Sequence, residues 1–179
     1  MALEYRSMDM KDHYEVWEGA IVIREPAAVP HEQVVGRLYL ILMQYVDKQG
    51  SGIVLLSNTA VHTKGDSVDY VMPDLTFVSQ ERMHLVHGNG IAGAPDLAVE
   101  VVSPGLQNTK RDLVDKFQLY ERSGVKEYWM VDYAGREIQM FGLIDGQYVR
   151  IEQSTVLPGI ELEGDSLFQG IIGMVNSAF

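Results

Sequence analysis

Residues 95–105 read PDLAVEVVSPG, residues 108–124 NTKRDLVDKFQLYERSG and residues 125–133 VKEYWMVDY. The first piece holds an apolar run of strand type, Leu97 to Val102, interrupted by a single carboxylate, Glu100. Ser103-Pro104-Gly105 reads as a turn, the middle piece as an amphipathic helix, and Tyr128 to Val131 as a second apolar strand. Strand, crossover helix, strand is the βαβ unit of a parallel or mixed sheet whose strands are buried on both faces. A carboxylate in such a strand is costly unless it is paired, protonated or bound to a metal. Glu100 is therefore the residue that a reading of this chain has to explain.

Within the crossover helix, Thr109 precedes Asp112 by three, which resembles a capping box. Leu113, Phe117 and Tyr120 make the apolar stripe, and Ser123-Gly124 ends the helix. Asp112 and Lys116 are four apart along one edge of that stripe, so the plainest reading pairs them on a solvated face. Upstream, Tyr14 to Trp17 and Ala20 to Ile23 read as a hairpin around Glu18-Gly19. His31 to Gln49 is a helix, with Val34, Leu38, Ile41, Leu42 and Tyr45 on one face, Pro30 before it and Gly50 after it. Ile53 to His62 reads as one strand, Lys64 to Ser67 as a turn, Pro73 to Val78 as a short strand, and Ser79 to Ala94 as a Gly-rich surface loop. Downstream, Arg136 to Leu143 and Gln147 to Glu152 form a hairpin around Ile144-Asp145-Gly146.

Composition bounds the answer. A chain of 179 residues, 46% hydrophobic, suffices for one domain spanning 1–179 with a substantial core. It has no cysteine, which removes disulfides and thiolate metal sites and points to the cytoplasm. No segment approaches the ~20 apolar residues of a membrane span, and the charged first residues argue against a signal peptide. The net charge of −11 and pI near 4.8 argue against a protein that coats nucleic acid. An enzyme that meets phosphates through a metal-loaded cleft is still allowed, because a divalent cation inverts the local charge. The five histidines show no paired metal spacing, which disfavours zinc.

Three residues can carry chemistry together. Asp74 opens a strand after a proline, Glu100 sits within one, and Lys116 projects from the following helix. Two carboxylates on adjacent strands can hold a hard divalent ion, and the Val101 carbonyl can add a third oxygen. A nearby lysine can then orient a metal-bound water or stabilise charge on a phosphate. His31 and Glu32, in a helix first turn, are either helix-start residues or contributors to the rim of such a site.

At this point the chain resembles the Uma-two family of restriction-endonuclease-like proteins, within the PD-(D/E)XK nuclease superfamily. The matching text is Tyr14 to Gly19, His31 heading its helix, Pro73-Asp74, Ala94 to Leu97 leading to Glu100 through Pro104, Asp112 with Lys116 and Tyr120, and Gly124-Val125 leading to Glu127 through Trp129 and Val131-Asp132. The resemblance implies an α/β fold with a restriction-endonuclease-like core: a mixed β-sheet flanked by helices, an N-terminal hairpin and a β-rich C-terminal extension. It implies a Mg²⁺-dependent nuclease, with Mn²⁺ as substitute, acting on nucleic acid, DNA in the first instance. Asp74 and Glu100 would hold the metal with Val101, Lys116 would be catalytic, and His31, Glu32 and Asp112 would line the rim. In the superfamily a lysine stands two residues after the second acid; here that residue is Val102, and Lys116 would replace it from the helix, a reach of about 6 Å. The alternative is a catalytically degenerate module that keeps the fold and binds nucleic acid or protein. An exposed edge strand in the C-terminal region would support a homodimer.

Overall fold

The protein is described by a computed structural model over residues 14–17, 19–24, 26–63, 69–102 and 111–172, with backbone alone at 111–113 and 165. Expectations for Met1 to His13, Glu18, the Lys64 to Ser67 turn, Ser103-Pro104-Gly105, the Thr109–Asp112 cap and the Asp112 and Leu113 side chains lie outside these residues.

Strand β8, Leu97–Val102, is buried at all six positions and organises the rest. It lies inside a six-stranded mixed sheet of order β11 (Gln147–Ile151), β10 (Glu137–Ile144), β9 (Glu127–Asp132), β8, β5 (Leu75–Ser79) and β3 (Gly52–Leu56). Its neighbours are β9, Glu127–Asp132, which is parallel, and β5, Leu75–Ser79, which is antiparallel. Alternation along β8 sends Leu97, Val99 and Val101 into one core with Val34, Leu38 and Leu42 of α1, Val29–Gln49. Ala98 enters a second core on the other face, with Tyr128 of β9 and Leu119 and Tyr120 of α2, Phe117–Ser123. Glu100 shares that second face by parity. Tyr128 and Trp129, both without exposed surface, divide between the two cores as strand residues do.

The helices follow their end signals. Pro30 lies in the first turn of α1, and Gly50 closes it in the left-handed conformation, its N–H returning to Asp47 and Val46 carbonyls. Gly124 closes α2 in the same way. The segment before α2, Arg111–Lys116, is a π-helix rather than an α-helix. The hairpin of β10, Glu137–Ile144, and β11, Gln147–Ile151, turns through Asp145 and Gly146 at positive φ. Strands β1, Tyr14–Trp17, and β2, Ala20–Ile23, form a separate two-stranded ribbon. Val16 and Tyr70 exchange backbone hydrogen bonds, which ties this ribbon to the segment before β5.

Two expectations need correction. The single strand expected over Ile53 to His62 is two: β3, Gly52–Leu56, on the edge of the main sheet, and β4, Val61–His62. Asn58, at φ 73°, turns the chain between them, as Ser-Asn pairs do. The expected loop over Ser79 to Ala94 is structured. It contains a 3₁₀ helix, Gln80–Leu85, and the hairpin of β6, Val86–His87, and β7, Gly90–Ala92. Gly88-Asn89 is the two-residue turn of that hairpin, and β7 pairs with β4 in a small second sheet.

Two buried acids fasten loops. Asp96 accepts from the Ser79 N–H and from Arg82 and Lys126, holding the 3₁₀ helix and the start of β9 together. Glu127 accepts from Trp129 Nε1, Ser154 Oγ, Thr155 N and Oγ1, and Val156 N, which pins the segment after β11 to the sheet. Glu127→Ala strands these donors, and unfolding in urea is expected to show a loss of roughly 3 kcal/mol or more. Glu127→Gln, which keeps one acceptor oxygen, should fall between that variant and the wild type.

Candidate active site

The ladder between β5 and β8 pairs Leu75 with Val99. Continued by one residue, that register sets Asp74 opposite Glu100, where cross-strand side chains are neighbours. Strand β5 ends there while β8 runs on, so the Val101 N–H has no β5 carbonyl to meet and donates instead to Asp74 Oδ2, at 2.8 Å. A residue's N–H and C=O point to the same edge of a strand, so the Val101 carbonyl is directed to this edge too. His31, in the first turn of α1, places Nε2 3.0 Å from the same Asp74 oxygen. The remaining oxygen, Oδ1, meets Arg24 Nη2 at 3.4 Å.

On the α2 side, Lys116 Nζ donates to Glu100 Oε1 at 2.7 Å, and the Tyr120 hydroxyl donates to that oxygen at 2.7 Å. Lys116 is 2% exposed, which overturns the solvated pairing with Asp112. The four-residue rule presumes α geometry, whereas this turn is π-helical and closes i→i+5. The ammonium also lies 3.5 Å from Glu15 Oε1 of β1, whose carboxylate accepts the Met72 N–H at 2.9 Å. Glu15 has no exposed surface.

The electrostatics follow from these contacts. Burial pushes the Asp74 carboxyl up, but the His31 hydrogen bond and charge, Lys116 and the Val101 N–H outweigh it and hold it below the usual range. Burial lowers His31, and Asp74, Glu32 and Glu100 more than reverse this, so its ring binds a proton above the ordinary value. Burial and the Glu100 charge drive the Tyr120 hydroxyl well above its normal value, so it stays a donor.

Hydrogen bonds thus join Asp74 to His31 and the Val101 N–H, and Glu100 to Lys116 and Tyr120, and charge links the two groups, Glu100 acting on His31 and Lys116 on Asp74. Glu32 is at the rim, 60% exposed, with Oε1 3.5 Å from His31 Nδ1. The Asp112 side chain is outside the described residues. Sequence reasoning missed Glu15, Arg24 and the Tyr120 hydroxyl. Tyr120 had a signal, since it follows Lys116 by four. So did Glu15, which alternates with Tyr14 and Val16 and therefore faces away from them. Among the described residues no three His, Cys, Asp or Glu side chains cluster as metal ligands. A cation here would rely on two carboxylates, a main-chain oxygen and water. That all-oxygen set suits Mg²⁺, which keeps several waters. Asp74 Oδ1, with one long contact, is the oxygen best able to accept it.

A family model for Uma2, described as "Putative restriction endonuclease", matches residues 2–173. A crystal structure described as "a putative nuclease belonging to DUF820", from Anabaena variabilis, aligns with a TM-score of 0.69 at 15% identity, covering 88% of this chain and 90% of that one. No curated protein matches the chain. No helix among the described residues is long and apolar enough to cross a membrane.

Two outcomes are expected of this geometry. Lys116→Met leaves Glu100 buried without its ammonium, and denaturant unfolding should register a loss of about 3–5 kcal/mol. The His31–Asp74 pair should also shape stability against pH. Asp74 has a lowered folded pKa, so its contribution is present above its ordinary 3.8 and is lost as pH falls through the folded value. His31 has a raised folded pKa, so its contribution is complete below 6.5 and is lost as pH rises through the folded value. The stability gap between wild type and His31→Asn should therefore be widest between those two pH values and narrow on both sides; a gap that widens towards alkaline pH would contradict the pairing.

Proposed function

Because the chain belongs to the Uma2 family of restriction-endonuclease-like proteins, we propose that it is a Mg²⁺-dependent nuclease that hydrolyses phosphodiester bonds of DNA. Asp74 and Glu100, with the Val101 carbonyl, are the metal-binding groups, and Mn²⁺ substitutes for Mg²⁺. When bound, such a cation lowers the pKa of a coordinated water and neutralises phosphate charge. The residues of the chain do the rest. His31 and the Val101 N–H fix one oxygen of Asp74, leaving the other to face the cation. Tyr120 fixes Glu100. Lys116 holds Nζ beside Glu100, where it can orient the attacking water and stabilise charge growing on the phosphate.

The observation that carries this reading is the position of that ammonium. Val102, where the superfamily has its lysine, is apolar and buried. The four-carbon stem of Lys116 delivers the same group to Glu100 from the helix, at 2.7 Å. A second reading, a fold that binds nucleic acid or protein without catalysis, draws on the two donors already held by Glu100 Oε1 and on the net charge of −11. Homodimerisation along the exposed β11 edge and a cytoplasmic setting fit either reading.

Supercoiled plasmid, single-stranded DNA and RNA, incubated with Mg²⁺ or Mn²⁺, separate the two. The nuclease cleaves DNA with either ion, and Glu100→Gln reduces the rate on the order of 10²-fold or more. Cleavage undiminished in Glu100→Gln would remove the site assignment, and absence of Mn²⁺ binding in calorimetry would favour the module.

A further inference from the structure

Three cationic side chains meet the two acids opposite each other at the end of β5: Lys116, His31 and Arg24. The first two are buried and held at 2.7 and 3.0 Å. Arg24 differs in each respect. Its one contact, Nη2 to Asp74 Oδ1, is 3.4 Å, at the outer limit of a hydrogen bond. A guanidinium carries five N–H donors in a planar fork, and no other contact to a described residue engages them. Its side chain is 23% exposed against 4% for Asp74, so it is open to solvent where its partner is not. It follows Ile23, the end of β2, and precedes the helix that carries His31.

Stability does not account for this arrangement. Asp74 is already held by Val101 and His31 at shorter distances, and a long, half-open ion pair adds little. Substrate binding does account for it. A chain of net charge −11 repels a polyanion, and buried carboxylates sharpen that repulsion locally. A planar fork of donors, partly open to solvent beside Asp74, is the group that matches phosphate oxygens. Resting on the nuclease reading above, we infer that Arg24 is the phosphate-binding residue of the site: it lies against Asp74 Oδ1 when that oxygen has no cation, and turns to a backbone phosphate of the nucleic acid strand when the oxygen is occupied. Arg24 therefore competes with the cation and cooperates with the substrate.

That double role gives a signature a merely structural arginine lacks: two affinities that move in opposite directions. Calorimetry with Mn²⁺ on the wild type and Arg24→Gln reads the first, and the variant is expected to bind Mn²⁺ several-fold more tightly. Fluorescence anisotropy with a labelled DNA oligonucleotide reads the second, with Glu100 intact and Ca²⁺, which takes the same oxygen ligands, in place of Mg²⁺ so that the probe is not consumed. Adding Arg24→Gln should weaken binding about tenfold and reduce the slope of log K against log salt by about 1, with Arg24→Lys restoring the slope but only part of the affinity. Unchanged DNA affinity and slope, or weaker Mn²⁺ binding, would overturn the role of Arg24 while leaving the nuclease reading intact. Failure of the wild type to bind either the cation or the probe would overturn both readings. Wild type that binds both ligands with the expected Arg24 effects, yet never cleaves, would support Arg24 and count against hydrolysis alone.

Discussion

A carboxylate buried in a strand covered on both faces must be given donors or a counter-charge, and at Glu100 the ammonium of Lys116, 2.7 Å away, supplies both. Much of the architecture serves this contact. Strand β8 sets Glu100 on the α2 face, the π-helical turn delivers Lys116 to it, and Tyr120, four residues on, donates the second hydrogen bond. The β1–β2 ribbon closes the other side through Glu15, so a segment at the start of the chain completes a site built from its middle.

Burial alone does not mark a carboxylate as functional in this protein. Asp96 and Glu127 are as deeply buried as Asp74 and Glu100, yet each fastens a loop. Glu127 is met by hydroxyl, indole and backbone donors, an arrangement that no cation need replace. Asp74 and Glu100 differ because β5 stops where β8 continues, so Asp74 takes the Val101 N–H that the ladder leaves unmatched, one residue from Glu100. The cations gathered there are the kind of partners that a divalent ion displaces or works beside.

The βαβ unit, the two-faced burial of β8 and the long first helix were legible because each rests on local periodicity and end signals. The anomaly of Glu100 within an apolar run was legible for the same reason. That Lys116 would reach Glu100 from the helix was legible too; the solvated pairing with Asp112 was the misreading, since spacing rules assume an α-helix and this turn is π-helical. The alternation at Glu15 gives the face it occupies, but what Glu15 and Arg24 meet there depends on docking the ribbon against Tyr70, far away in sequence, which no local pattern encodes. The Ser79 to Ala94 segment was misread because Gly88 and Gly90, taken as loop residues, belong to a hairpin, one in its two-residue turn with Asn89 and the other in β7.

The claim that Asp74 and Glu100 together hold one hard cation can be tested most directly by soaking crystals of the wild-type protein in Mn²⁺ and measuring anomalous diffraction. The account predicts a single strong peak between Asp74 Oδ1 and the Glu100 carboxylate, within coordination distance of both and of the Val101 carbonyl, with Arg24 withdrawn from Asp74. A map with no peak there, or with Mn²⁺ bound by other residues while Arg24 keeps its place, would contradict it.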